Sequence, residues 1–137
     1  MIRIRIETKL PTEMRYDTAG DYYQKNDRLH LEIARQEEED YEFLIAIHEL
    51  IEWYLAKKAG IKEFDITAHD VQFEKNRKAG VHGPHDEPGD AYNAPYRRQH
   101  RFAENIERLI AQELGVDWDS YNSRIITESN YNGGVEG

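Results

Sequence analysis

The sequence predicts an α+β domain in which a small antiparallel β-sheet packs against two main α-helices. Two short stretches near the N-terminus alternate apolar and polar residues, the period of a strand with one buried face. Two longer stretches carry apolar residues at helical spacing, and each is followed by a glycine. Paired strands alone would leave their apolar faces wet, so the helices are expected to cover them.

Ile2, Ile4 and Ile6 alternate with Arg3, Arg5 and Glu7 to form the first expected strand, which Pro11 ends. Residues 11–26 read as a connecting loop with aromatic content, including Tyr16, Tyr22 and Tyr23. Leu29, Leu31 and Ile33 alternate with Arg28, His30 and Glu32 to form the second strand. The first long helix runs from Glu37 or Asp40 to Ala59. Acids at its start and Lys57 and Lys58 at its end suit the helix dipole, and Gly60 is placed to cap it. Tyr41, Leu44, Ile45, Ile51, Leu55 and Ala59 trace its apolar stripe. Leu50 and Trp53 lie off that stripe, so this helix is covered on more than one side. Asp65 opens a short helix through Ile66, His69, Phe73 and Arg77 that ends at Gly80. Residues 81–90 form a turn-rich polar loop. Pro95 favours a helix start near Tyr96, with Phe102, Ala103, Ile106, Leu109, Ile110 and Leu114 as core stripe and Gly115 as stop. Residues 117–121 add a short turn with Trp118 and Tyr121. The expected domain spans 1–128, and the polar, glycine-rich residues 129–137 form a flexible tail.

At 137 residues the chain is long enough for one real core. Its formal charge of −9 argues against nucleic acid as a partner, although Arg97, Arg98 and Arg101 make a local basic group. The absence of cysteine excludes disulfides, thiolate zinc sites and cysteine nucleophiles. Any metal must therefore be held by His, Asp and Glu. The N-terminal alternation is unlike a signal peptide, and no run approaches the ~20 apolar residues of a membrane span. No membrane partner is expected, and the expected compartment is the cytoplasm.

The functional clue lies in Ala46-Ile47-His48-Glu49-Leu50-Ile51-Glu52-Trp53. At about 100° per residue, His48 and Glu52 fall in the middle of the apolar stripe with Glu49 beside them. An imidazole and a carboxylate facing a core are costly unless paired, hydrogen-bonded or bound to metal. On the last helix His100, Glu104 and Glu107 lie along one flank of the stripe. If the two helices cross near these patches, the groups converge. Imidazole nitrogen and carboxylate oxygen are ligands for zinc and other divalent metals, and three protein ligands with one open position is the catalytic arrangement. The assignment is His48, Glu52 and His100 as ligands, with Glu49 as general base beside the metal's water. Glu104 is a fourth ligand or a partner orienting a ligand imidazole.

His48-Glu49-Leu50-Ile51-Glu52 resembles the zincin metallopeptidase motif His-Glu-x-x-His, with Glu52 where the second histidine belongs. Gluzincins take a glutamate ligand from a later helix, and His100 would be its exchanged counterpart. The resemblance implies a minimal zincin-like fold and His48, Glu52 and His100 as zinc ligands with Glu49 as base. It also implies a hydrolase of peptidase or amidase type, acting on a peptide or small molecule. The exchange at Glu52 adds negative charge, which makes the metal a weaker Lewis acid and favours manganese or iron more than the usual motif does. The chain as a whole resembles small proteins of phages and prophages, which would put it in the host cytoplasm.

Other readings stand beside this one. His48 and Glu52 can form a buried hydrogen-bond network with each other or with Arg97 or Arg101. His82, His85, Asp86, Glu87 and Asp90 are late ligands, a lid, or only a polar loop. Glu49, Glu52, Glu104 and Glu107 form two Glu-x-x-Glu pairs that resemble the magnesium site of all-α nucleotide pyrophosphohydrolases. A non-catalytic binding or inhibitory module of phage type, with a structural or degenerate metal site, is the remaining alternative.

Overall fold

The computed structural model describes residues 1–16, 18–83 and 86–125. Strands β1 (Ile4–Lys9), β2 (Gly20–Lys25) and β3 (Arg28–Ala34) form one sheet in the order β1-β3-β2. Helices α1 (Glu39–Lys58), α2 (Glu63–Lys78) and α3 (Arg97–Leu114) follow, and residues 118–125 add a shorter helix, α4. Pro11–Glu13 and Pro88–Asp90 are single 3-10 turns. This is the expected α+β class. Three long helices serve the small sheet where two were expected, because α2 extends to a full 16 residues. The expected tail from residue 129 lies outside the described residues.

The sheet is mixed rather than antiparallel. β2 and β3 form a hairpin, with Tyr22 opposite Leu31, through Asn26 and Asp27 at φ of 54° and 62°. Two central residues at positive φ mark the type I′ turn, whose twist matches that of the flanking strands. This hairpin occupies part of the expected loop, because β2 turns Gly20 and Tyr22 inward instead of aliphatic residues. β1 then pairs with the other side of β3 in parallel, Ile4 opposite Leu29 and Ile6 opposite Leu31. Alternation assigns the faces of a strand but not its direction.

α1 lies across β2 and β3 and packs against α3. It passes through two apolar clusters. Trp53 and Ala56 join Leu29, Leu31, Ile66 and Tyr96 in one, and Leu44 and Ile45 join Ile33, Ala111 and Tyr121 in the other. Burial of each large side chain is worth about 1.5–3 kcal/mol, so both ends of α1 are firmly held. The turn carrying His48 and Glu52 is clamped between them.

α3 departs from its expected stripe. It buries His100, Ala103, Glu107 and Ala111, whereas Phe102, Leu109 and Leu114 are exposed. Ala103 and Ala111 are small enough to let α1 come close, which brings the polar residues of both helices into contact. β1 departs as well. Its isoleucines share the helix-facing side of the sheet but lie beyond the cover of α1, so Ile4 is 39% and Ile6 51% exposed. No described helix is long and apolar enough to cross a membrane.

Candidate metal centre

One turn of α1 sets His48 and Glu52 on the same side, and the start of α3 brings His100 against them. His48 Nε2 lies 3.0 Å from Glu52 Oε2 and 3.1 Å from His100 Nδ1, and His100 Nδ1 lies 2.9 Å from Glu52 Oε2. All three residues are buried. Ligand atoms around a tetrahedral ion with bonds of ~2.0–2.1 Å stand roughly 3.3 Å apart, so small outward shifts turn this triangle into a coordination face. The group is placed so that it could hold a metal ion.

The outer nitrogens fix which atoms face inward. His48 Nδ1 lies 2.7 Å from Glu107 Oε1, and His100 Nε2 lies 3.3 Å from Glu87 Oε2. A carboxylate accepts, so each outer nitrogen carries the hydrogen and donates it. In a neutral ring the inner nitrogen then presents a lone pair. With both rings neutral, two imidazole lone pairs and a carboxylate oxygen converge with no proton among them. Only a cation, either a proton or a metal ion, resolves that arrangement.

In the absence of an ion, protons fill this role. Burial opposes charge on His48, but hydrogen bonds to Glu107 and Glu52 hold its pKa well above the ordinary imidazole value. Burial opposes charge on His100 too, and Glu52 and Glu87 push it up to about 10. For Glu52 burial acts upward, yet hydrogen bonds from His100 and His48 bring its pKa down to about 2. Each member of the cluster is further held from outside. The Tyr22 hydroxyl donates to Glu52 Oε1 at 3.0 Å, and the Tyr121 hydroxyl donates to Glu107 Oε2. The backbone of Gly89 lies flat on the His100 ring, where an added Cβ would stand 2.8 Å from Cδ2 and closer still to Cγ and Nδ1. Only glycine permits that approach.

Glu49 sits apart from the triangle. It lines a cavity of about 110 Å³ together with His48, Glu52, His100, Asp70 and Tyr96. Among the described residues it makes no hydrogen bond or ion pair. Its side chain lies against Gly20, where a Cβ would stand 2.8 Å from Glu49 Oε1 and Cγ. Burial, followed by repulsion from Glu52, raises the Glu49 carboxyl well above its ordinary range. An unpaired carboxyl with a raised pKa is a candidate proton acceptor.

His48, Glu52 and His100 therefore come together as the spacing suggested, and Glu49 lines the cavity they share. Glu104 does not join them. It lines the cavity half-buried, with its nearest cation, Arg108, at 4.0 Å. The residue that orients His48 is Glu107, one turn further along α3. Arg97 and Arg101 are exposed and form no part of the cluster; Arg97 Nε donates to the Asp90 carbonyl at 3.3 Å. Of the histidine loop, His82 stacks on Phe73 at 3.9 Å, and His85 lies outside the described residues. Glu87 and Asp90 do reach His100, Asp90 Oδ1 at 3.7 Å from Nε2, and with it they form a second, wetter group that could hold a cation.

The hydrogen bonds of Tyr22 and Tyr121 to the cluster were not read from sequence, whereas Glu87 was among the loop residues named as late ligands, a lid or only a polar loop. Glu87 precedes Pro88-Gly89, and the Pro-Gly pair was the signal for a backbone packed closely on a ring. Nothing local marked the two tyrosines. The chain matches no family model, no curated protein and no solved structure.

Proposed function

We propose that this protein is a zincin-like, divalent-metal-dependent hydrolase that cleaves an amide or peptide bond in a peptide or small molecule. The observation that carries the reading is the convergence of His48 Nε2, Glu52 Oε2 and His100 Nδ1 beside the unpaired Glu49 carboxyl. Two imidazoles and one carboxylate suit zinc first, and the carboxylate leaves manganese or iron as alternatives. A divalent ion held by these residues supplies Lewis acidity toward a carbonyl oxygen and acidifies a water.

The chain's own groups do the rest. Glu49 takes the proton of the attacking water as its oxygen adds to the carbonyl carbon. It then passes that proton to the departing nitrogen as the C–N bond breaks. Burial raises the Glu49 carboxyl above its ordinary range, which favours its holding that proton in transit. Glu107 and Glu87 keep the two rings in the tautomer that points lone pairs inward, and Tyr22 holds Glu52 in place. The magnesium pyrophosphohydrolase reading fits less well, because Glu107 is engaged with His48 and Tyr121 and Glu104 stands outside the cluster.

The test is elemental analysis of untagged protein, wild type beside His48→Ala, followed by assays on peptide and amide substrates. Stoichiometric metal in the wild type, lost in His48→Ala, is expected. Glu49→Gln should keep the metal and lose activity. Protein that takes up no zinc, manganese or magnesium would reduce the cluster to a protonated hydrogen-bond network and end the hydrolase reading.

A further inference from the structure

β1 pairs with β3 on one side, and no described residue pairs with its other side. Hydrogen bonds from Leu29 N to Arg3 O (2.9 Å) and from Arg35 N to Lys9 O (2.8 Å) set the parity of the strand. The odd-numbered residues of β1 turn their N–H and C=O groups to β3, so those of Ile4, Ile6 and Thr8 point outward. On the helix side, Ile2, Ile4 and Ile6 are 50%, 39% and 51% exposed. The strand has no proline within it, and none of its outward ladder groups meets a described partner. An edge of this kind is a template for another strand.

Charge selects the partner and the register. An antiparallel second copy can meet the outward groups in registers centred on Ile4, Arg5, Ile6, Glu7 or Thr8, and centring on Thr8 sets Glu7 against Lys9 but leaves Ile4 and Ile6 opposite residues outside the strand. Centring on Ile4 sets Arg3 against Arg5, centring on Arg5 sets Arg5 against itself, and centring on Glu7 sets Glu7 against itself. Each puts like charges at the closest cross-strand separation. Centring on Ile6 instead sets Arg5 against Glu7 on both sides of the axis, with Ile6 against Ile6 and Ile4 against Thr8. The remaining like pair, Arg3 against Lys9, falls at the ends, where Lys9 is already bound to Glu32 of its own chain.

We propose that the outer edge of β1 docks a second copy of this chain, two-fold about Ile6, to make one continuous six-stranded sheet. The axis stands perpendicular to the sheet, so both helix layers lie on one face. The exposed isoleucines of the two copies then adjoin along the seam between those layers. This proposal is independent of the metal reading.

Sedimentation velocity on the whole chain from roughly 1 µM to 1 mM tests it first, and a concentration-dependent dimer is expected. The chain has no cysteine, so Ile4→Cys, Arg5→Cys, Ile6→Cys and Glu7→Cys can each be oxidised singly to read the register. Facing residues in a hydrogen-bonded pair stand about 5.5 Å apart at Cα, within disulfide reach, whereas residues offset by two or more are beyond it. Only Ile6→Cys should therefore cross-link efficiently. Arg5→Glu should weaken the dimer by about tenfold, and Arg5→Glu combined with Glu7→Arg should restore it. A protein that stays monomeric throughout, a cross-link favoured at another position, or a dimer indifferent to Arg5→Glu would each overturn the proposal.

Discussion

Two buried polar clusters face the same cavity, and they differ in one respect. At Asp70, Tyr16 donates to Oδ2 at 2.9 Å and Tyr96 donates to Oδ1, so each carboxylate oxygen has its own donor. At His48, Glu52 and His100, three acceptors point at one another, and the hydrogens of both rings are directed outward to Glu107 and Glu87. Burial and shifted pKa values are common to both. Burial pushes Asp70 up to about 7 against the hydrogen bond from Tyr96. What separates the two clusters is the balance of donors and acceptors, not depth or titration.

Metal affinity breaks or sharpens this contrast most directly. His100→Ala removes a proposed ligand and should weaken metal binding by more than about 100-fold, beyond the loss typical of an outer partner. Asp70→Asn should change it by less than about threefold. Chelator competition measures both, and comparable losses would erase the distinction between the clusters. Glu107→Gln comes next: a weaker anchor for His48 should cost about 10- to 100-fold in affinity while the fold survives.

Proton release probes the same contrast without mutation. With both ring pKa values held above neutrality in the ion-free protein, metal uptake at pH 7 should expel about two protons. Titration calorimetry in buffers of different ionisation heat gives the number, and a value near zero would mean the rings already stand neutral.

The smallest effect is on stability against pH. His100 binds its proton more tightly folded than unfolded, so in chelator its contribution is complete below about pH 6.5 and is lost as pH rises to about 10. Asp70 is also raised, and its contribution is complete below about pH 3.8 and lost as pH rises through about 7. Asp70→Asn should therefore flatten the fall in melting temperature between about pH 4 and 7, by a few degrees, and leave the higher one untouched. Melts across that range in chelator would show whether the two losses separate.

Much of the site was legible because it lies on regular helices. Four-residue spacing on an apolar stripe was enough to single out His48 and Glu52, and the start of the last helix supplied His100. The choice between Glu104 and Glu107 was not legible. Both lie on the same flank of α3, and only the approach of α1 decides that Glu107 meets His48. The stripe of α3 was misjudged for a related reason: Phe102 and Leu109 are the more apolar residues, but alanines let the helices close.

By itself the sequence determined what depends on neighbours in the chain: the helices and their glycine stops, two of the three strands, and a costly His/Glu pair facing inward. Helical period and dipole act within a few residues, so a single chain displays them. Tertiary structure alone decided the parallel pairing of β1, the exposure of its isoleucines, and the outer partners Glu107, Glu87, Tyr22 and Tyr121. Those depend on contacts between residues far apart in sequence, where strand direction and helix approach are set by how the whole core packs.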